Sequence, residues 1–94
     1  MFVLHIELKV KPTLQRSFEQ TYVEKFRPAI SAQEGFNSVQ LLRSNDFNTN
    51  YRLGIAFDHQ NLQQKWVATN LHQEVWPAIA GHCEEFSVQS YSTV

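Results

Sequence analysis

The chain has 94 residues, 43% of them hydrophobic and 13% aromatic, with 8 basic against 9 acidic side chains and a formal net charge of −1. That size allows one small domain, and the composition is that of an ordinary globular protein, which excludes disorder. No run of like charge is present, so binding nucleic acid or an anionic membrane through a charged face is not expected.

The first residues, Met1-Phe2-Val3-Leu4-His5-Ile6-Glu7, have no basic start and are interrupted by His5 and Glu7, so they read as folded structure and not as a signal peptide. No apolar stretch approaches the ~20 residues that span a bilayer. The single Cys83 cannot form an internal disulfide, so a soluble cytoplasmic protein is the expectation.

Residues 2–10 alternate, with Phe2, Leu4, Ile6, Leu8 and Val10 on one face and His5, Glu7 and Lys9 on the other, which predicts a half-buried strand ended by Pro12. From Thr13, a candidate N-cap, the period changes. Leu14, Phe18, Tyr22 and Phe26 recur every four residues and mark an amphipathic helix. Pro28 is expected to kink or restart that helix, and Gly35 to stop it. A second strand follows over Phe36 to Arg43 and a third over Tyr51 to Asp58, joined by the turn-forming residues 44–50, a candidate lid. A second helical region starts near Asn61 and breaks near Thr69-Asn70, where Asn70 and Gln73 form a plausible capping pair. Gly81 ends it, and Glu85 to Ser92 forms the last strand.

The two halves of the chain align without a gap at an offset of 49 residues: Phe2, Leu4, Ile6 and Leu8 fall on Tyr51, Leu53, Ile55 and Phe57, and Pro28-Ala29-Ile30 on Pro77-Ala78-Ile79. Two copies of a strand-helix-strand unit predict an α+β, ferredoxin-like βαββαβ fold over residues 1–94. Its four-stranded antiparallel sheet has both helices on one face. The other face carries Val3, His5, Glu7, Arg52, Gly54, Ala56, Gln40, Leu42 and Tyr91. Its small residues invite a second sheet, and a small domain gains from a homodimer there.

The repeat assigns Val67, Leu71 and Val75 to the core stripe of the second helical region, matched to Phe18, Tyr22 and Phe26. Trp66, His72 and Trp76 match Ser17, Val23 and Arg27. On a continuous helix both Trp residues lie roughly 140° from the stripe centre. Two Trp side chains off the stripe either pack in gaps or at a dimer contact, or line a pocket with His72 at its rim.

Trp66 followed by His72 six residues later, the Glu34-Gly35-Phe36 helix end and the βαββαβ order together resemble the antibiotic biosynthesis monooxygenases of the dimeric α+β-barrel superfamily. The resemblance implies a homodimer with facing sheets (a dimeric α/β barrel) and a ligand pocket between sheet and helices in each subunit. Several members oxidise polycyclic aromatic phenols with molecular oxygen and neither metal nor flavin, so the implied function is cofactor-independent monooxygenation of a small aromatic or polyketide-like substrate. The competing reading is a non-enzymatic ligand-binding or stress-response barrel.

In the enzymatic reading Trp66 walls the pocket and supplies an N–H donor, and His72 acts as acid or base. His5 is a weaker candidate for that role, Arg52 or Arg43 stabilises a developing anion, and Trp76 contributes to binding. The haem-degrading branch of the same superfamily is recognised by an Asn on the first strand, a Trp on the second helix and a His ten residues later. Here Trp76 holds the iron-ligand position and His5 stands near the Asn position. Tryptophan does not ligate haem iron as imidazole does, so haem degradation is disfavoured. No metal site is expected: in His82-Cys83-Glu84 neighbouring side chains point to opposite faces, and no second ligand pair accompanies them. Cys83 lacks an oriented base, and His59 reads as a turn residue.

Overall fold

The computed structural model describes residues 1–94. The strands are β1 (Phe2–Val10), β2 (Phe36–Arg43), β3 (Asn50–Phe57) and β4 (Cys83–Ser92). They form one open antiparallel sheet in the order β2-β3-β1-β4. The helices are α1 (Gln15–Thr21), α2 (Arg27–Ser31), α3 (Gln60–Val67) and α4 (Asn70–Ala80). The expected α+β, ferredoxin-like fold is the one observed.

Repeat-related strands β1 and β3 are neighbours at the sheet centre. Leu4 lies opposite Ile55, Ile6 opposite Leu53 and Leu8 opposite Tyr51, so equivalent apolar residues share the helix-bearing face. Fifteen buried residues make one core between that face and the helices. The opposite face carries the rows Gln40-Gly54-His5-Gln89 and Leu42-Arg52-Glu7-Ser87.

Several local expectations need correction. Thr13 caps nothing. It lies in a 3-10 turn, Pro12–Leu14, opened by a proline whose missing N–H is harmless at a first helical position, and α1 starts at Gln15 without a side-chain cap. Pro28 does mark a restart: it stands in the first turn of α2, which resumes at Arg27. A π turn over Tyr22–Phe26 precedes it, with the Arg27 N–H bonded to the Tyr22 carbonyl, and this wider turn carries the chain into α2. Gly35 does take the left-handed conformation (φ 75°) and stops the first helical segment where β2 begins.

The larger correction concerns the second helical region. A continuous core stripe Val67-Leu71-Val75 is not what forms. Val67 and Leu71 are 36% and 40% exposed, whereas Trp66 is 2% exposed and sits in the core. The cause is Thr69, whose backbone is extended (φ −76°, ψ 152°) and turns the chain between α3 and α4. The helical phase does not carry across it. Beyond the break the repeat recovers, and Val75 and Ile79 are buried like Phe26 and Ile30.

Candidate functional site

Thr69 also fixes the geometry of the site. Its hydroxyl donates to the Trp66 carbonyl at 2.7 Å and accepts the His72 N–H at 3.1 Å, closing the end of α3 and capping the start of α4 together. The cap residue is thus Thr69, one position before the predicted Asn70. Gln73, the other member of the predicted pair, bonds the Val67 carbonyl at 2.9 Å and braces the same break.

This staple brings three of the expected site residues together. The Trp66 and His72 rings meet edge to face with centroids 5.1 Å apart, and His72 stacks nearly parallel to Trp76 at 6.5 Å. Trp66 and Trp76 each also meet Phe26 edge-on at 6.4 Å, and Trp76 meets Phe86 at 5.2 Å. The imidazole lies between two indoles that are themselves wedged against the core.

Beneath these rings lies a cavity of about 170 Å³. Its walls are Leu4 and Ile6 from β1, Ile55 from β3, Phe86 and Val88 from β4, Phe26 from the π turn, Gln63, Trp66 and Val67 from α3, and His72 and Trp76 from α4. Gln63, His72 and the indole N–H groups of Trp66 and Trp76 supply the polar side-chain atoms of that lining, and no Lys, Arg, Asp or Glu belongs to it. Wider troughs of about 490 and 420 Å³ lie along polar parts of the molecule, lined by residues such as Glu7, Lys9 and Arg52. The smaller cavity is the one with the character of an organic-ligand site: mostly apolar, with a few convergent polar groups.

Burial pushes the His72 imidazole below its ordinary pKa, because desolvation penalises the charged form. Its Nδ1 is closed off from solvent and has no hydrogen-bond partner. A protonated ring would need partners for two N–H groups, so burial favours the neutral ring, and a proton on Nε2 leaves only a lone pair at the sealed Nδ1. In this arrangement His72 offers a hydrogen-bond donor more readily than a base.

His5 and Arg52 are not part of this cluster. On β1 and β3 they occupy the alternate parity and lie on the helix-free face of the sheet. His5 packs on Tyr91 with centroids 4.9 Å apart, and Arg52 pairs with Glu7. Arg43 bonds Glu19 at 3.0 Å, and the buried Tyr51 hydroxyl donates to the same carboxylate. That polar cluster ties β2 and β3 to α1. The 44–50 loop is anchored beside it through Gln15 and contributes no residue to the cavity lining. His82 uses both ring nitrogens in a tether, with Nδ1 against the Ala78 carbonyl at 2.7 Å and Nε2 against the Ser17 hydroxyl at 2.8 Å. Burial raises the pKa of Cys83.

Eight of the eleven lining residues lie outside the motif, Phe26, Gln63, Phe86 and Val88 among them, and Thr69 braces the site from behind. Gln63 lies three residues before Trp66, a spacing that puts both on one helix face, and was the most accessible of these signals.

The family Antibiotic biosynthesis monooxygenase matches residues 1–76. The chain belongs to that family. Solved structures agree at the level of the fold. A Nitrosomonas europaea protein assigned to the antibiotic biosynthesis monooxygenases superposes with a TM-score of 0.86 at 18% identity, covering 100% of this chain and 99% of that one. SnoaB, a cofactor-independent oxygenase from Streptomyces nogalater, gives 0.88 at 14% identity over 98% and 91%. A conserved protein of Methanosarcina mazei gives 0.86 at 11% over 96% and 89%. No curated protein matches the chain by sequence. The match ends at Trp76, so the family's sequence pattern covers Trp66 and His72 but not Phe86 and Val88 on β4. No helix is long and apolar enough to cross a membrane.

Proposed function

We propose that this member of the antibiotic biosynthesis monooxygenase family oxidises a small hydroxylated aromatic with molecular oxygen, without an organic or metal cofactor, in the cavity beneath Trp66 and His72. One observation carries the reading: an uncharged aromatic cavity with a single imidazole, buried at one nitrogen and held neutral, at its wall.

Such a site suits a substrate that is itself the reductant. An electron-rich phenol transfers electrons to oxygen, one oxygen atom becomes a ring carbonyl, and the other leaves as water. For a simple phenol the balance is phenol plus O₂ giving quinone plus water. Trp66 and Trp76 would hold the ring by stacking and exclude water from the reactive intermediate. His72 would hold the substrate oxygen by a hydrogen bond as negative charge develops there. Arg52, Arg43 and His5 have no role in this scheme, because each is engaged elsewhere.

The proposal includes a homodimer formed through the helix-free face. A Cβ built on Gly54 meets nothing nearer than the Gln40 carbonyl at 3.9 Å, so that face has an unfilled notch in its middle. Leu42 and Tyr91 are 47% and 45% exposed on the same face, and only 16 of 94 residues are buried in the single chain.

Oxygen uptake by the purified chain with a panel of phenols and hydroquinones, together with quinone absorbance, tests the activity. Stoichiometric oxygen consumption that falls at least tenfold in His72→Phe is expected. Ligand binding without oxygen uptake across the panel would make the protein a binding module. That alternative has its own support, since Trp66 is also a fully packed core residue.

A further inference from the structure

Resting on the assignment of this cavity as the substrate site, we infer that it selects a single-ring, uncharged aromatic bearing an oxygen acceptor, which His72 holds as a neutral donor through Nε2–H. Three features of the cavity, each independent of the family, lead there.

The first is size. An engineered apolar cavity of about 150 Å³ takes one benzene molecule. The space beneath Trp66 is about 170 Å³, which adds room for a substituent on that one ring. Three fused rings of a polyketide skeleton exceed that space, and Phe26 and Trp66 in its wall, both at 1–2% exposure and packed edge to face, leave little room to widen it.

The second is charge. No Lys, Arg, Asp or Glu lines the cavity, so a carboxylate or phosphate would enter unpaired and lose its hydration. Arg43 and Arg52, the arginines expected to meet an anion, are held by Glu19 and Glu7 and line no part of it.

The third is the polarity of the one imidazole. Nδ1 is sealed and unpartnered, so the proton that can be satisfied is the one on Nε2. Trp66 meets the ring edge to face and Trp76 lies nearly parallel to it, so turning the ring over to exchange its nitrogens disturbs both contacts. A ligand oxygen that accepts is therefore matched.

The test is a ligand series on the unmodified protein, read by quenching of Trp fluorescence and by titration calorimetry. Phenol and anisole should bind with similar affinity, both about fivefold or more tighter than toluene, which lacks the oxygen. Benzoate should bind at least tenfold more weakly than anisole, and 1-naphthol and anthrone more weakly still. In His72→Phe, which keeps a ring between the indoles, the preference of anisole over toluene should disappear.

Tighter binding of naphthol or anthrone than of phenol overturns the size limit. Benzoate equal to anisole overturns the charge limit. Phenol binding with anisole indistinguishable from toluene overturns the donor assignment and makes His72 an acceptor. Oxygen uptake with three-ring substrates alone would sink this inference and leave the monooxygenase reading standing. The expected ligand order with no oxygen uptake would do the reverse.

Discussion

Replacing Trp66 by Ala tests whether the staple at Thr69, and not the sequence repeat, decides which residues form the core. Trp66 is 2% exposed and touches both Phe26 and His72 at ring-packing distances. Truncating a buried Trp to Ala costs about 3–5 kcal/mol, more when the surroundings cannot collapse. Here they cannot, because the hole would merge with the cavity already present. A domain of this size loses about 4–8 °C in melting temperature per kcal/mol, so a fall of roughly 15–30 °C is expected, a large share of a total stability of about 5–15 kcal/mol. Leu71→Ala, at a position 40% exposed, should cost less than about 1 kcal/mol. Thermal and urea melts followed by far-UV circular dichroism measure both. If Leu71→Ala proves as damaging as Trp66→Ala, the helices meet the sheet in the phase of the repeat and the site geometry described above is wrong.

Thr69→Ala removes a cap and a cross-helix bond together. A loss of about 1–2 kcal/mol in urea melts is expected, with weaker phenol binding than the stability loss alone explains. Gly35→Ala forces a side chain into a left-handed backbone with its Cβ against the Leu62 side chain, and should cost about 2 kcal/mol or more. His72 takes a proton near pH 6.5 in the unfolded chain and only at lower pH when folded. The unfolded state thus binds more protons in between. The stability tied to His72 is complete above about pH 6.5 and declines as the pH falls toward its lowered folded value, and His72→Phe should flatten that slope in melts from pH 7.5 to 4.5. Gly54→Trp leaves the single chain room for its side chain but fills the notch on the open face. Sedimentation velocity should show a dimer for the native chain and a monomer for the variant, and two dimers would refute that interface.

The sheet was legible because β1 and β3 alternate cleanly and pair with each other, so the period-two pattern and the observed register describe the same row of residues. Gly35 was legible for a different reason, since only glycine adopts its backbone angle without strain. The helices were harder. Leu14, Phe18, Tyr22 and Phe26 mark an amphipathic face, but nothing in their spacing announces the π turn that carries Tyr22 and Phe26 into α2. Across Ala68 and Thr69 the four-residue spacing of Val67, Leu71 and Val75 continues as if the helix did, and one extended residue makes it misleading. Trp66, His72 and Trp76 do lie together, although the argument that singled them out rested on a premise that failed, since Trp66 is within the core. His5 and Arg52 were proposed by residue type, and strand parity alone would have separated them from Trp66.

β4 has a consequence of a different kind. It is the edge of an open sheet, and from Phe86 to Val94 it carries no charge and no proline. Phe86 and Val88 are about half exposed along it. An uncovered strand of that composition offers its free backbone groups as a template for another chain, and the acidic pair Glu84-Glu85 guards only its first residues. Aggregation on storage should therefore begin at this edge, and Ser92→Lys, at the far end of the strand opposite Phe2, should slow fibril growth.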